Sequence, residues 1–252
     1  MLDNPIRDLA GTDRHAYLCW LSIPSGFVAE ALAADAWAGA LIDCQHGLIG
    51  YQDMVAMITA IAGQGKPALV RVPVGATGEI GRALDAGAAG LVCPMIESAA
   101  DAAAFVREAK YPPIGRRSWG PARPRTLLPG NAYVPETANK YVLAAAMIET
   151  ATALEAVDEI ASVPGLDALF VGPNDLSLSL TDGQIDLGAE KLQSALRRVV
   201  ASARHHRLIA GIYAGNEELA VGYREMGFQM IPVGSDMAFM KAASARTLKA
   251  LS

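Results

Sequence analysis

The sequence predicts a single (β/α)8 TIM barrel. Three observations carry that prediction. Eight short apolar runs alternate with eight helix-like stretches. The apolar runs are continuous rather than alternating, as in parallel strands buried on both faces. The 252 residues match the ~250 that one closed barrel takes. A doubly wound sheet is the rival architecture, but no GxGxxG follows the first strand.

In chain order, the predicted strands are 17–23, 39–43, 68–72, 90–94, 142–148, 168–171, 208–213 and 229–233. Helices are predicted around 26–34, 51–63, 77–86, 98–109, 151–162, 188–205, 216–226 and 235–250. Glycines at 63, 65, 87 and 227 follow helical stretches, where a left-handed residue ends a helix. No linker or composition break divides the chain, so residues 1–252 read as one domain. The exception to the alternation is 111–140, a long proline-rich excursion with Arg116, Arg117, Arg123 and Arg125 beside Trp119. It reads either as a solvated, interface-covering segment or as a lid or neighbour-subunit arm that brings arginine to an anionic substrate.

Composition excludes several function classes. The net charge of −5 leaves no basic excess for nucleic acid. Asp3, Arg7, Asp8, Asp13 and Arg14 break the first twenty residues, against a signal peptide. No apolar run approaches the length of a membrane span. Cys19, Cys44 and Cys93 lie in apolar stretches without a CxxC, as expected of free, buried thiols in a reducing cytoplasm. Charged residues make up only 19% of the chain, which points to surface covered between subunits.

Active sites of such barrels form at the carboxyl ends of the strands. There the sequence places Asp43 and His46 after strand two, Arg71 at strand three, Glu149 at strand five, and Gly172, Asn174 and Asp175 after strand six. Glu149 and Asp175 lie on adjacent strand ends. They suit a hard divalent cation completed by water and substrate oxygens, magnesium first and manganese or cobalt as substitutes. Their spacing is equally compatible with capping the helices that follow. His46 alone among four histidines follows a strand end; it is a candidate base or a structural residue, with Asp43 three residues earlier to fix its tautomer. Arg71 suits an oxyanion or a buried ion pair. Asp85 ends a helix, a poor place for an acid, so a role in orienting a histidine or pairing with Arg71 is expected. None of Lys66, Lys110, Lys140, Lys191, Lys241 and Lys249 ends a predicted strand, which disfavours Schiff-base chemistry. There is no P-loop, HExxH or GxSxG.

Seven ordered segments carry a resemblance: LIDCQHG (41–47), VRVP (70–73), LDAG (84–87), VCPMIE (92–97), YPP (111–113), MIET (147–150) and FVGPNDLS (170–177). Over residues 17–250 the chain resembles the HpcH/HpaI aldolases, class II pyruvate aldolases that include 4-hydroxy-2-oxoheptanedioate aldolase-like members. The resemblance implies that Glu149 and Asp175 hold the metal and that His46 is the catalytic base, strengthened by Asp85. It implies that Arg71 stabilises the transition state and that the backbone at Asn174 contacts the oxo acid. It further implies a hexamer, a trimer of dimers exchanging the last helix. Two departures bear on substrate. Cys44-Gln45 stands where many members have glycine-glutamate, and Met147 stands where many have a substrate-touching glutamine. The 117–121 segment looks like a subgroup feature.

The expected activity is a metal-dependent, reversible cleavage of 4-hydroxy-2-oxo acids to pyruvate, or an analogue, plus an aldehyde. His46 serves as base, Asp43 and Asp85 as carboxylates assisting it, and Arg71, Gly172, Asn174 and Asp175 line the substrate. The rivals are an oxaloacetate-type decarboxylase, a CoA-thioester lyase and a non-catalytic ligand-binding barrel.

Overall fold

The computed structural model describes residues 4–127 and 132–251. Eight parallel strands close on themselves in chain order: β1 (Ala16–Leu21), β2 (Ala40–Asp43), β3 (Ala68–Arg71), β4 (Gly90–Cys93), β5 (Leu143–Ile148), β6 (Ala168–Val171), β7 (Ile209–Ile212) and β8 (Met230–Val233). All eight apolar runs became strands, trimmed by one or two residues where the run extends past the ladder. Around them run α1 (Gly26–Ala33), α2 (Tyr51–Gly63), α3 (Thr77–Asp85), α4 (Ala99–Ala109), α5 (Pro124–Leu127), α6 (Pro135–Tyr141), α7 (Ala151–Glu155), α8 (Val157–Ala161), α9 (Pro173–Leu180), α10 (Glu190–His205), α11 (Glu217–Met226) and α12 (Asp236–Leu251).

The continuous apolar runs have a simple cause. In β5, Leu143, Ala145 and Met147 face the barrel interior with Trp20, Leu41, Leu69, Phe170 and Met230. Ala144, Ala146 and Ile148 face outward into the layer between strands and helices. Both faces are dry, so neither set can be polar. Each fully buried Leu, Ile, Phe or Met side chain contributes roughly 1.5–3 kcal/mol, and an alanine methyl less. Ser25, Ser98, Thr150 and Asn216 cap the helices that follow them, each accepting a backbone N–H from three residues on.

Some expectations required correction. The stretch 151–162 forms two short helices, α7 and α8, broken at Ala156. Helix α9, directly after β6, and the helices α5 and α6 within the excursion were not foreseen. Gly65, Gly87 and Gly227 take left-handed backbone, but Gly63 is simply the last residue of α2. Part of the excursion, 128–131, lies outside the described residues.

The N-terminal end of the barrel is closed by the lead-in segment. Ile6 and Leu9 join the interior core. The Asn4 side chain donates to the carbonyls of Ala89 and Tyr141, and Arg7 pairs with Asp167 at 2.6 Å. Lys110 is fully buried at this same end, ion-paired to Asp167 and donating to the Asn139 and Val142 carbonyls. The other end is left open for the site. There Asp236, at the start of α12, accepts from Ser22 and Ile23 after β1 and anchors the helix by its first turn. Beyond that turn α12 stands exposed, with Met240 at 50% and Leu251 at 80%.

Candidate active site

The strand ends bring Arg71, His46, Gly172, Asn174 and Asp175 around one cavity of about 210 Å³, together with Trp20, Met147, Pro173 and Tyr213. Register explains the first pairing. Asp43 and Arg71 are partners across β2 and β3. The guanidinium meets the carboxylate at two points, Nε to Oδ1 at 2.9 Å and Nη2 to Oδ2 at 2.8 Å. Both side chains are buried. Arg71 also lies over the Trp20 ring, 4.7 Å from its centroid, and Trp20 in turn packs on Tyr213 at 4.8 Å. Guanidinium, indole and phenol therefore contact in series, the two rings tilted by 59°. Nη1 of Arg71 has no partner among the described residues and is available to an oxyanion.

His46 sits in the tight turn after β2. Asp43 Oδ1 accepts the backbone N–H of Gln45 at 3.1 Å and of His46 at 3.2 Å. A side chain on Gly47 would strike the Asp43 carbonyl, so the turn needs glycine there. The imidazole is exposed, and its ring nitrogens have no hydrogen-bond partner among the described residues. Sequence reasoning expects Asp43 to fix the His46 tautomer. Both Asp43 oxygens instead serve Arg71, and Oδ1 also holds the turn, so Asp43 positions His46 through its backbone rather than its ring.

Asp85 also differs from expectation. As the last residue of α3 it pairs with Arg117 at 2.6 Å, not with Arg71 or His46. The cost of an acid at a helix carboxyl end is offset by a buried guanidinium. Arg117 also donates to the Tyr133 hydroxyl at 3.3 Å and lies 4.6 Å from the Tyr111 ring centroid. This arginine pins the excursion to the barrel. Arg116 pairs with Glu108, and Arg123 donates to the Ala86 carbonyl. None of the excursion's arginines lines the cavity.

Glu149 is one residue beyond β5 and 2% exposed. Its Oε1 accepts the Met95 backbone N–H at 2.7 Å, and Met95 holds a left-handed φ of 54° to present it. Burial raises the Glu149 pKa above the ordinary carboxylate value. The Met95 N–H opposes this, the neighbouring Asp175 raises it further, and Arg71 lowers it. Asp175 lies in the first turn of α9, exposed and without a hydrogen-bond partner among the described residues. Gly172 leaves the room between them: a Cβ there would come 2.6 Å from Met147 Cε and 2.8 Å from Glu149 Oε2. Two adjacent carboxylates, one buried and already destabilised as an anion, fit a hard divalent cation. Among the described residues no three His, Cys, Asp or Glu side chains gather as a metal site, so solvent and substrate oxygens would complete any coordination.

Trp20 and Tyr213 were not picked out from the sequence. Tyr213 follows β7 as Glu149 follows β5, so its place at a strand end is a usable signal, but a phenol there carries no charge to mark it. Lys110, the only buried lysine among the described residues, lies at the opposite end of the barrel.

Comparison with known proteins identifies the family. The HpcH/HpaI aldolase/citrate lyase family profile matches residues 17–243. The chain belongs to the HpcH/HpaI aldolase/citrate lyase family. It is 35% identical to a hydroxypyruvate/pyruvate aldolase of Rhizorhabdus wittichii, with 97% of each chain covered. It is 38% identical to a 4-hydroxy-2-oxovalerate aldolase of Novosphingobium aromaticivorans, covering 89% of this chain and 86% of that one. The crystal structure of a family protein from Burkholderia cenocepacia superposes with a TM-score of 0.88 at 33% identity, covering 99% of both chains.

Proposed function

We propose that this protein is a divalent-metal-dependent aldolase that reversibly cleaves 4-hydroxy-2-oxo acids to pyruvate, or a close analogue, and an aldehyde. The observation that carries the reading is the meeting of two carboxylates, Glu149 and Asp175, with Arg71 and His46 at one barrel mouth. The relatives named as pyruvate and hydroxypyruvate aldolases support a small 2-oxo acid as the nucleophilic partner. A cavity of about 210 Å³ suits an acid of that size.

Glu149 and Asp175 would hold the cation; an all-oxygen donor set favours magnesium, with manganese or cobalt able to substitute. When bound, the cation supplies Lewis acidity to the oxo-acid carbonyl. Arg71 Nη1 stabilises negative charge on the reacting oxygen, and its bidentate hold on Asp43 keeps it from rotating away. His46, exposed at the mouth and free at its ring nitrogens, moves the proton on the 4-hydroxyl. The first-turn amides of α9, at Asn174 and Asp175, face the mouth from a helix N-terminus and suit the substrate carboxylate. Gly172 keeps that approach open. Asp85, held by Arg117 and not paired with His46 of its own chain, would assist the base of a neighbouring subunit in the proposed hexamer.

Assembly follows the same logic. The exposed Met237, Met240, Leu248 and Leu251 of α12 suit burial against a second copy, as in a helix-exchanged hexamer. No described helix is long and apolar enough to cross a membrane.

The test is product analysis. Supplied with magnesium and 4-hydroxy-2-oxo acids of graded length, the enzyme is expected to release pyruvate and aldehyde in equal amounts. Carbon dioxide release from oxaloacetate without any aldehyde-forming cleavage would replace this reading with the decarboxylase.

A further inference from the structure

A second cavity lies at the end of the barrel away from this site. It measures about 850 Å³ and opens beside the N-terminal ends of β7 and β8. Three guanidiniums line it: Arg204 and Arg207 at the end of α10, and Arg224 in the last turn of α11. Asp13 is the acidic residue in the wall. We propose that this cavity binds a small polyanion carrying phosphate or carboxylate groups, held by Arg204, Arg207 and Arg224.

The arginines are poorly occupied by the protein itself. Arg204 reaches Asp13 at 3.3 Å and Arg224 reaches its chain neighbour Glu225 at 3.4 Å, both between exposed groups. Such contacts are weak and readily exchanged for a ligand. Arg207 has no side-chain partner among the described residues. The carboxyl ends of α10 and α11 each present about half a negative charge here. That charge and Asp13 do not consume three guanidiniums. The excess stands out in a chain whose net charge is −5.

Arg207 supplies a second observation. It occupies the left-handed position after α10, at φ 57°, where the Leu208 N–H closes back on the Ala203 carbonyl. Glycine fills such a position without strain, and an L-residue does not. Gly227 does so at the end of α11, in the same cavity wall. An arginine at a position that favours glycine places a fork of donors in the cavity wall, chemistry suited to phosphate and carboxylate oxygens. The facing wall is preformed. The buried Gln229 amide donates to the Leu9 and Thr12 carbonyls, both at 2.7 Å, and fixes the lead-in segment.

The experiment is calorimetric titration of the full chain with inorganic pyrophosphate and, separately, with citrate, in metal-free buffer. Saturable binding that weakens with salt is expected, and the tighter of the two names the phosphate or carboxylate class. Arg207→Gly and Arg224→Gln are each expected to weaken it by roughly tenfold or more. Arg71→Lys, at the opposite end, is expected to leave it unchanged. Arg207→Gly should also keep the parent melting temperature or exceed it. No saturable binding of either anion, unchanged affinity in both cavity variants, or a loss confined to Arg71→Lys would overturn the proposal. Unchanged affinity with a lowered melting temperature in Arg207→Gly would assign the arginine to helix capping alone.

Discussion

Arg71 and Asp43 stand opposite each other in the register of β2 and β3 and close a two-point ion pair beneath the barrel mouth. The pair is buried, and the same aspartate holds the turn that carries His46. One contact thus fixes both the Arg71 guanidinium and the turn that carries the candidate base.

Arg71→Lys should separate those two effects. A lysine retains the charge but loses the fork that matches the Asp43 carboxylate. The expected result is a fall in kcat of ~10²–10³ from the lost oxyanion donor. Arg71→Ala additionally leaves the buried Asp43 without its charge partner, with only the Gln45 and His46 N–H groups still bound to it, at a stability cost of roughly 3–5 kcal/mol. Steady-state kinetics and thermal melts on both variants check this.

His46→Ala is expected to lower kcat by ~10²–10⁴, as removal of a general base does. The fold should survive, because the imidazole is exposed and the turn is held through the backbone N–H. Wild-type turnover by this variant would remove His46 from the proton transfer.

Most of the fold was legible because both faces of every strand are dry and eight continuous apolar runs leave few topologies. Helix α9 was hidden because its residues, PNDLSLSL, open on proline and continue in a two-residue alternation that reads as a strand, although Asp175 and Ser179 share its exposed side. The site was legible where charge sits at a strand end, as at Arg71, Glu149 and Asp175. It was not legible where the partner depends on three-dimensional register. Asp85 has two plausible partners in the chain order, and only the folded excursion delivers Arg117 to it. Trp20 reads as core from the sequence, and it becomes a platform for Arg71 only once β1 closes beside β2 and β8.

Glu149→Gln gives a stability test with a defined sign. Burial first, and Asp175 second, raise the Glu149 pKa in the folded protein. Between the ordinary carboxylate value and that raised value the folded state binds the extra proton, so stability rises as pH falls through this window. Above the window the metal-free protein carries the burden of a buried anion. Metal-free Glu149→Gln is therefore expected to melt at or above the parent temperature at neutral pH, with the difference shrinking on acidification. A uniform loss of stability at every pH would contradict the assignment.

Tyr213→Phe removes the phenol hydroxyl from the cavity wall and keeps the ring against Trp20. Burial is the largest influence on the phenol and raises its pKa above 10 despite the opposing pull of Arg71. The hydroxyl therefore stays protonated, as a donor, through the neutral range. The ratio of parent to variant kcat/KM is expected to be constant from about pH 6 to 9, and to be largest for acceptor aldehydes bearing a hydroxyl or carboxylate, by roughly tenfold.

The central claim is that the carboxylates Glu149 and Asp175 recruit a cation on which carbon–carbon cleavage depends. Metal-stripped enzyme assayed for pyruvate release, before and after titration with magnesium or manganese, tests it most directly. The account predicts no activity without the cation, saturable recovery in the parent, and no recovery in Glu149→Gln or Asp175→Asn. Full activity of the stripped enzyme, with borohydride trapping of the oxo acid on a lysine, would contradict it.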